Sequence, residues 1–353
     1  MDLKILGWNS FFAENFVAFE ENCLHPARIF LIQKDTYWLF TERGELKAKL
    51  AGKIHYEAKS KGDFPAVGDW VAISTGSDSS LAVIQSILPR LSSFSRKAAG
   101  GRKRKSGGAV AEQVIAANID TIFVVAGLDW DFNLRRLERY LTLIYNSGAD
   151  PVIVLNKADL CPESDEKVTQ VESVAFGVPI HVVSAKTGQG LDEFAGYLQG
   201  GKTVALVGSS GVGKSSIING LLGEERQEVK PLRGSVGKGI HTTTRRELIF
   251  VPTGGIIMDN PGMREIQLWG GEEDLEGTFR DIEEIALQCR FNDCRHESEP
   301  DCAVLAAIEN NALDPARYNS YLKLKRELWY LEERKRKPAG RIEKEKWERY
   351  FKK

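Results

Sequence analysis

The sequence predicts a multidomain protein: an N-terminal all-β barrel, a central α/β domain built on a phosphate-binding loop, and a C-terminal, mainly α, metal-binding domain. Three observations carry this prediction. Short β-type runs separated by turn residues fill the stretch from Ala27 to about Ile87. Apolar runs then alternate with amphipathic helical stretches as repeated βα units. From Glu272 onward strand signals give way to helical ones around a cluster of cysteines and a histidine. At 353 residues the chain is too long for one ordinary core. The expected division is 1–94 for an N-terminal segment and barrel, 95–110 for a basic Gly-rich linker, 111–271 for the α/β domain and 272–353 for the helical domain.

The first part reads as ARIFLIQ, YWLFT, VGDWVAI and LAVIQSI, punctuated by ERG at 42–44 and TGSDSS at 75–80. This spacing suits a small barrel or sandwich of about five strands. The segment SRKAAGGRKRKSGG (95–108) has almost nothing to bury and reads as a linker or loop. Beyond it, IDTIFVVAG, PVIVL, PIHVV and TVALVG are continuous apolar runs, the pattern of parallel strands covered on both faces. Helical stretches fall between them: NLRRLERYLTLIYNSG, 164–176, near 190–199 and from about 214.

Composition limits the function classes. With 42% hydrophobic and 27% charged residues the chain is an ordinary globular protein. A formal net charge of −1 excludes a globally basic nucleic-acid binder, although RKRK at 102–105 and at 334–337 are local basic blocks. No apolar run approaches the roughly 18 residues needed to span a bilayer, and the start lacks a signal-peptide pattern. A cytoplasmic protein without membrane attachment is therefore expected, monomeric by default. Five cysteines do not pair evenly, which argues against a disulfide framework.

The central motif is GSSGVGKSS: Gly208, Ser209, Ser210, Gly211, Val212, Gly213, Lys214, Ser215 and Ser216. It follows an apolar run and opens a helical stretch, so backbone amides and a helix N-terminus can surround phosphate oxygens. Lys214 would reach the β- and γ-phosphates, and the Ser215 hydroxyl would bind Mg²⁺. The base is read elsewhere. NKAD at 156–159 offers Asp159 as acceptor for guanine N1–H and N2–H₂, a donor pair that adenine lacks, with Asn156 tying the loop to the base and the phosphate loop and Lys157 lying along the base. VSAKTG places the Ser184, Ala185 and Lys186 backbone near guanine O6. In DNPG, Asp259 would hold Mg²⁺ through water and the Gly262 amide would sense the γ-phosphate. Between them lies GKGIHTTT, where either Thr243 or Thr244 supplies a hydroxyl to Mg²⁺. Together these motifs predict GTP and GDP as ligands.

Their order is unusual. The base-reading motifs precede the phosphate loop, which precedes both switch motifs, G4-G5-G1-G2-G3 in the conventional numbering. A domain whose original ends lie close tolerates being joined there and reopened elsewhere, so the site survives and only the wiring changes. This is a circularly permuted GTPase, with DNPG leading into the C-terminal domain.

Cys289, Cys294, His296 and Cys302 supply three thiolates and one imidazole within a short stretch. Soft S₃N ligation suits tetrahedral Zn²⁺, and four protein ligands leave no open position, so one structural zinc is expected.

The permuted order, HTTT, DNPG, the zinc pattern ending in CAV, and VGDWV in the preceding β-domain together resemble the ribosome small-subunit-dependent GTPases, the RsgA or YjeQ/YloQ family, over nearly the whole chain. The resemblance implies an OB-fold barrel, a permuted GTPase and a zinc domain. It also implies a factor in late maturation of the small (30S) ribosomal subunit that binds rRNA and whose slow GTPase that subunit stimulates. Where the family commonly has Arg before the switch histidine, this chain has Ile240, and its loop AAGGRKRKSGG is longer and more basic.

The residue after the DxxG glycine is Met263, which cannot position water, so slow intrinsic hydrolysis is expected. His241 is the candidate catalytic group, by resemblance and because imidazole orients or deprotonates water. A loop histidine that contacts RNA or solvent is the alternative for it. The alternative for the whole chain is an RNA-binding assembly scaffold switched by GTP with little turnover.

Overall fold

The computed structural model describes residues 1–76, 81–97, 112–224, 247–252, 254–259 and 275–336. Helix α1 (Ser10–Glu20) starts where the Asn9 side chain accepts from the Phe12 amide, 3.3 Å away. It buries Phe12 and Phe16, while Trp8 sets its ring 4.6 Å from that of Trp70. Strands β1 (His25–Gln33), β2 (Thr36–Thr41) and β3 (Gly44–Leu50) form a meander. Helix α2 (Gly52–Glu57) then leads to β4 (Trp70–Thr75) and β5 (Leu81–Ile87). β3 and β5 pair in parallel, and β4 returns to β1 with Arg28 opposite Trp70, so the order β1-β2-β3-β5-β4-β1 closes a five-stranded barrel of OB type. Its interior holds Ala27, Ile29, Leu39, Ala48, Ile73 and Ile84.

Strands β6 (Ser93–Lys97) and β7 (Glu112–Ala117) form an antiparallel pair outside the barrel. β6 thus runs three residues into the stretch expected as linker. The ladder uses backbone groups, so Ser95, Arg96 and Lys97 pair with Val114, Gln113 and Glu112 without an apolar signal.

The central domain contains β8 (Thr121–Gly127), α3 (Leu134–Tyr145), β9 (Asp150–Asn156), α4 (Ser164–Glu172), β10 (Ile180–Val182), α5 (Ala195–Leu198), β11 (Thr203–Val207), α6 (Lys214–Leu222), β12 (Glu247–Phe250) and β13 (Ile256–Asp259). Its sheet order is β10-β9-β8-β11-β13-β12, all parallel except β12, which runs antiparallel to β13. The apolar runs are strands because both faces are covered. On β8, Ile122 and Val124 pack with Leu141 and Ile144 of α3, while Phe123 and Val125 pack with Ile217 and Phe194 on the other face. The C-terminal domain consists of α7 (Glu276–Ala286), α8 (Ala303–Glu309) and α9 (Pro315–Arg336).

Barrel and central sheet meet at a bridge between Leu31 and Glu247 and at Arg28, which is 1% exposed. Its guanidinium donates to the Leu6, Gly68 and Asn118 carbonyls and, at 2.8 Å, to Thr203 Oγ1 of β11. Burial lowers its pKa to about 10, opposed by the charges of Asp120 and Asp69, so it remains charged at neutral pH. Among the described residues no helix is long and apolar enough to cross a membrane.

Candidate functional site

The carboxyl ends of β8, β9, β11 and β13 converge on one edge of the sheet, where open parallel sheets bind ligands. The phosphate loop joins β11 to α6 there. Gly208 has φ 142° and a Cβ on it would stand 2.2 Å from the Val125 carbonyl oxygen; Gly213 has φ 101° and a Cβ would stand 2.1 Å from Asn156 Nδ2. Both positions therefore require glycine, one for the turn off the strand and one for the close approach of the base-side loop. Lys214 folds over the loop, its Nζ 2.7 Å from the Gly208 carbonyl and bonded to that of Ser209. Ser215 and Ser216 sit in the first turn of α6.

Asn156, at the end of β9 and 2% exposed, joins three motifs. Its Nδ2 donates to the Val212 carbonyl at 2.8 Å, and its Oδ1 accepts from the Ala185 amide at 2.9 Å. Lys157 adopts a left-handed backbone, φ 71°, which turns the chain sharply off the strand. Its Nζ lies 2.7 Å from Asp129 Oδ2. The Asp159 side chain is 18% exposed, with Oδ1 2.7 Å from the donating Ser184 hydroxyl and Oδ2 3.8 Å from Lys186 Nζ. These contacts aim one carboxylate edge and leave it reachable from solvent. Asp259 ends β13, 8% exposed, beside β11. His241, Thr243, Thr244 and Gly262 lie outside the described residues.

Three residues at this edge are not apparent from the motifs: Asp129, Asp131 and Arg136. Burial alone would push the Asp129 carboxyl up, but the hydrogen bonds from Lys157 and the Asp131 amide outweigh it and hold it below the usual carboxylate range. Arg136, on the first turn of α3, donates to both oxygens of Asp131 at 2.7 Å and to the Ser209 hydroxyl in the phosphate loop. The available signal was position: GLDWDFNLRR follows β8 directly, so its polar residues had to emerge beside the phosphate loop.

The four zinc-candidate residues come together. Cys289 Sγ is 3.5 Å from His296 Nδ1 and 3.9 Å from Cys302 Sγ, His296 Nδ1 is 3.3 Å from Cys302 Sγ, and with Cys294 all four ligand atoms lie within 4.8 Å of one another. His296 and Asp301 take left-handed backbones, φ 59° and 57°, which fold the short connections back on themselves. Cys302 also caps α8, its sulfur accepting from the Leu305 amide at 3.5 Å. This Cys₃His cluster can hold a metal ion.

Spatial order identifies the kind of protein. Taken from β11, whose loop carries GSSGVGKSS, through the antiparallel β12 and then β13, and rejoined to β8, β9 and β10, the sheet is that of a Ras-like GTPase opened at a new point. The fold and site define a circularly permuted GTPase. The RsgA GTPase family model matches residues 87–269. The chain is 44% identical over 329 residues to the small ribosomal subunit biogenesis GTPase RsgA of Syntrophotalea carbinolica, covering 93% of this chain and 90% of that one. It is 50% identical over 311 residues to RsgA 2 of Lactiplantibacillus plantarum, covering 88% and 85%. The crystal structure of YjeQ from Thermotoga maritima superposes with a TM-score of 0.64 at 28% identity, over 87% of this chain and 99% of that one. YloQ, a circularly permuted GTPase, gives 0.60 at 25% over 90% and 97%. The chain belongs to the RsgA GTPase family.

Proposed function

We propose that this protein binds GTP, hydrolyses it slowly by itself and faster on the small ribosomal subunit, and acts there late in 30S maturation through contacts with rRNA. The observation that carries the nucleotide reading is the pair of hydrogen bonds made by Asn156, which links phosphate loop and base-reading loops into one pocket edge. The partner rests on the names of the relatives, small ribosomal subunit biogenesis GTPases. The OB-type barrel, and the basic composition of 102–105 and 334–337 in the sequence, suit phosphates and exposed bases. A cytoplasmic location follows from that partner, and a monomer remains the default.

In this reading the amides of 208–216 surround the phosphates and Lys214 leaves its loop carbonyls for the β- and γ-oxygens. Asp159 accepts both guanine donors, with Ser184 fixing its orientation and Lys157, anchored by Asp129, lying along the base. The Ser184, Ala185 and Lys186 backbone serves guanine O6. Mg²⁺, which neutralises charge between the β- and γ-phosphates, would be held by Ser215, Asp259 and either Thr243 or Thr244. His241 would orient the attacking water in place of Met263. Zinc fits the Cys₃His cluster: bonds of about 2.3 Å to sulfur and 2.0–2.1 Å to nitrogen put tetrahedral ligands roughly 3.6–3.8 Å apart, close to the separations of 3.3–3.9 Å among Cys289, His296 and Cys302. With four protein ligands its role is structural.

Sedimentation with small subunits tests the partner. Binding should be tighter with a non-hydrolysable GTP analogue than with GDP and should weaken steeply with salt, as phosphate contacts require. Equal binding to large subunits, or insensitivity to salt, would reject it. The scaffold reading, favoured by Met263, is separated by turnover: a subunit that binds the protein without raising its GTPase rate supports scaffold over enzyme.

A further inference from the structure

The geometry points to helix α3 as the element through which the phosphate loop and the C-terminal domain sense one another, with Arg136 as the positioning residue at the loop end. The inference rests on the reading of 208–216 as a nucleotide site. It does not involve the DNPG connection, and it concerns residues that no nucleotide motif contains.

At the N-terminal turn of α3, the Arg136 guanidinium spans two anchors at once, the Ser209 hydroxyl on the phosphate loop and the Asp131 carboxylate. Asp131 in turn donates its amide to Asp129, which holds Lys157 of the base-reading loop. One nitrogen, Nη1, makes the bonds to both anchors. The loop and the start of α3 are thereby held in one register.

Neighbouring residues of the same helix are committed to the C-terminal domain. Arg135 bonds Asp314 at the start of α9. Arg139 makes a fork to Glu327, 2.7 and 2.8 Å. Glu138, fully buried, accepts from Arg135 and, at 2.9 Å, from Arg317 of α9, whose guanidinium also forks to Asp281 and bonds the Thr278 carbonyl of α7. Thr142 closes the row with a hydrogen bond to Thr278, 3.0 Å. A buried carboxylate compensated by arginines cannot slide past them without losing its counter-charge. Helix α3 therefore moves with α7 and α9 as one body, while its first turn follows the phosphate loop. Whatever nucleotide binding does to Ser209 is passed to the C-terminal helices, and by reciprocity their position alters nucleotide affinity by the same factor.

The test uses the full-length, zinc-loaded protein and GDP. Affinity is measured for the wild type, Arg136→Ala, Ser209→Ala and the double variant, and amide hydrogen exchange across 315–333 is compared with and without GDP. If Arg136 acts through Ser209, each single change weakens GDP binding by about 5- to 20-fold, the scale of ordinary coupling, and the double variant is no worse than either single one. The GDP-dependent change of exchange in α9 disappears in Arg136→Ala. Arg139→Ala, which touches only the far end, keeps GDP affinity within about twofold of wild type and diminishes the α9 response. Additive effects of the two single changes, or an undiminished α9 response in Arg136→Ala, would overturn this inference alone. A wild-type protein that binds no GDP would overturn the nucleotide-site reading and this inference with it.

Discussion

The side-chain amide of Asn156 lies 2.8 Å from the carbonyl oxygen of Val212, and this bond joins the base-reading loop to a phosphate loop that follows it in the chain. In an unpermuted GTPase the same contact would run backwards along the sequence. The bond is indifferent to that direction, because the strands fix where the two loops meet. Asn156→Ala removes this bond and the one to Ala185, and takes a partner from a buried carbonyl and from a part-buried amide. At about 1–3 kcal/mol per group, GDP affinity should fall by roughly 10- to 100-fold, measured with a fluorescent GDP analogue, while thermal unfolding of the barrel is unchanged.

Asp159 carries base specificity in this account. Asp159→Asn replaces one carboxylate oxygen by an NH₂ donor, which faces the guanine N2 amino group donor to donor. GTP affinity should drop by at least about tenfold, the value of one charge-assisted pair, and xanthosine triphosphate, with an acceptor at that position, should gain. Unchanged preference in a competition assay would remove Asp159 from the base site.

Metal removal should unfold the C-terminal domain selectively. Cys302 is buried and caps α8 through its sulfur, so removing a metal held by the cluster would free the cluster and the start of a helix together. Elemental analysis should find one zinc per chain. Chelation under mildly destabilising conditions should release it with loss of exchange protection in α8, leaving β8 protected.

The buried ion network between domains should be sensitive to truncation. Arg317 is 3% exposed and serves Glu138, which is fully buried, and Asp281. Arg317→Ala leaves Glu138 with Arg135 alone and takes the guanidinium from Asp281, and should cost about 3 kcal/mol in denaturant unfolding, the lower end of the range for removing one partner of a buried pair.

Asp129 gives a pH signature. Its carboxyl is held below the ordinary range, so the folded protein keeps it ionised at pH values where the unfolded chain, titrating near about 3.9, takes up a proton. Its contribution is complete above roughly pH 5 and disappears as pH falls through about 4 toward the folded pKa. The stability difference between wild type and Asp129→Asn should therefore be constant from pH 5 to 7 and shrink below pH 4. A difference that grows on acidification would contradict the assigned ion pair with Lys157.

The motifs at 156–159, 184–186 and 208–216 are local units, each a strand followed by a loop, and that pattern is visible in the sequence. Residues whose partners are remote are not visible in this way. Arg28 reads as an ordinary member of ARIFLIQ, and only the assembled domains show it bonding four separate segments. Strand β3, GELKAKL, carries little apolar signal since its innermost residue is Ala48 and its lysines face outward; it is a strand because β2 and β5 pair with it. Helix α4 stops at Glu172, short of the expected 176, and the stretch near 190–199 contains only a brief α5 between 3₁₀ turns. Arg136 looked like one charge among several on an amphipathic helix, and its role depends on which turn faces Ser209.

The measurement that tests the central claim most directly is steady-state hydrolysis of GTP and ATP by the zinc-loaded protein, alone and with small subunits, large subunits or free rRNA. The account predicts slow GTP turnover alone, strong acceleration by small subunits only, no turnover of ATP, and loss of the acceleration in His241→Ala. GTP turnover that small subunits leave unchanged would contradict it.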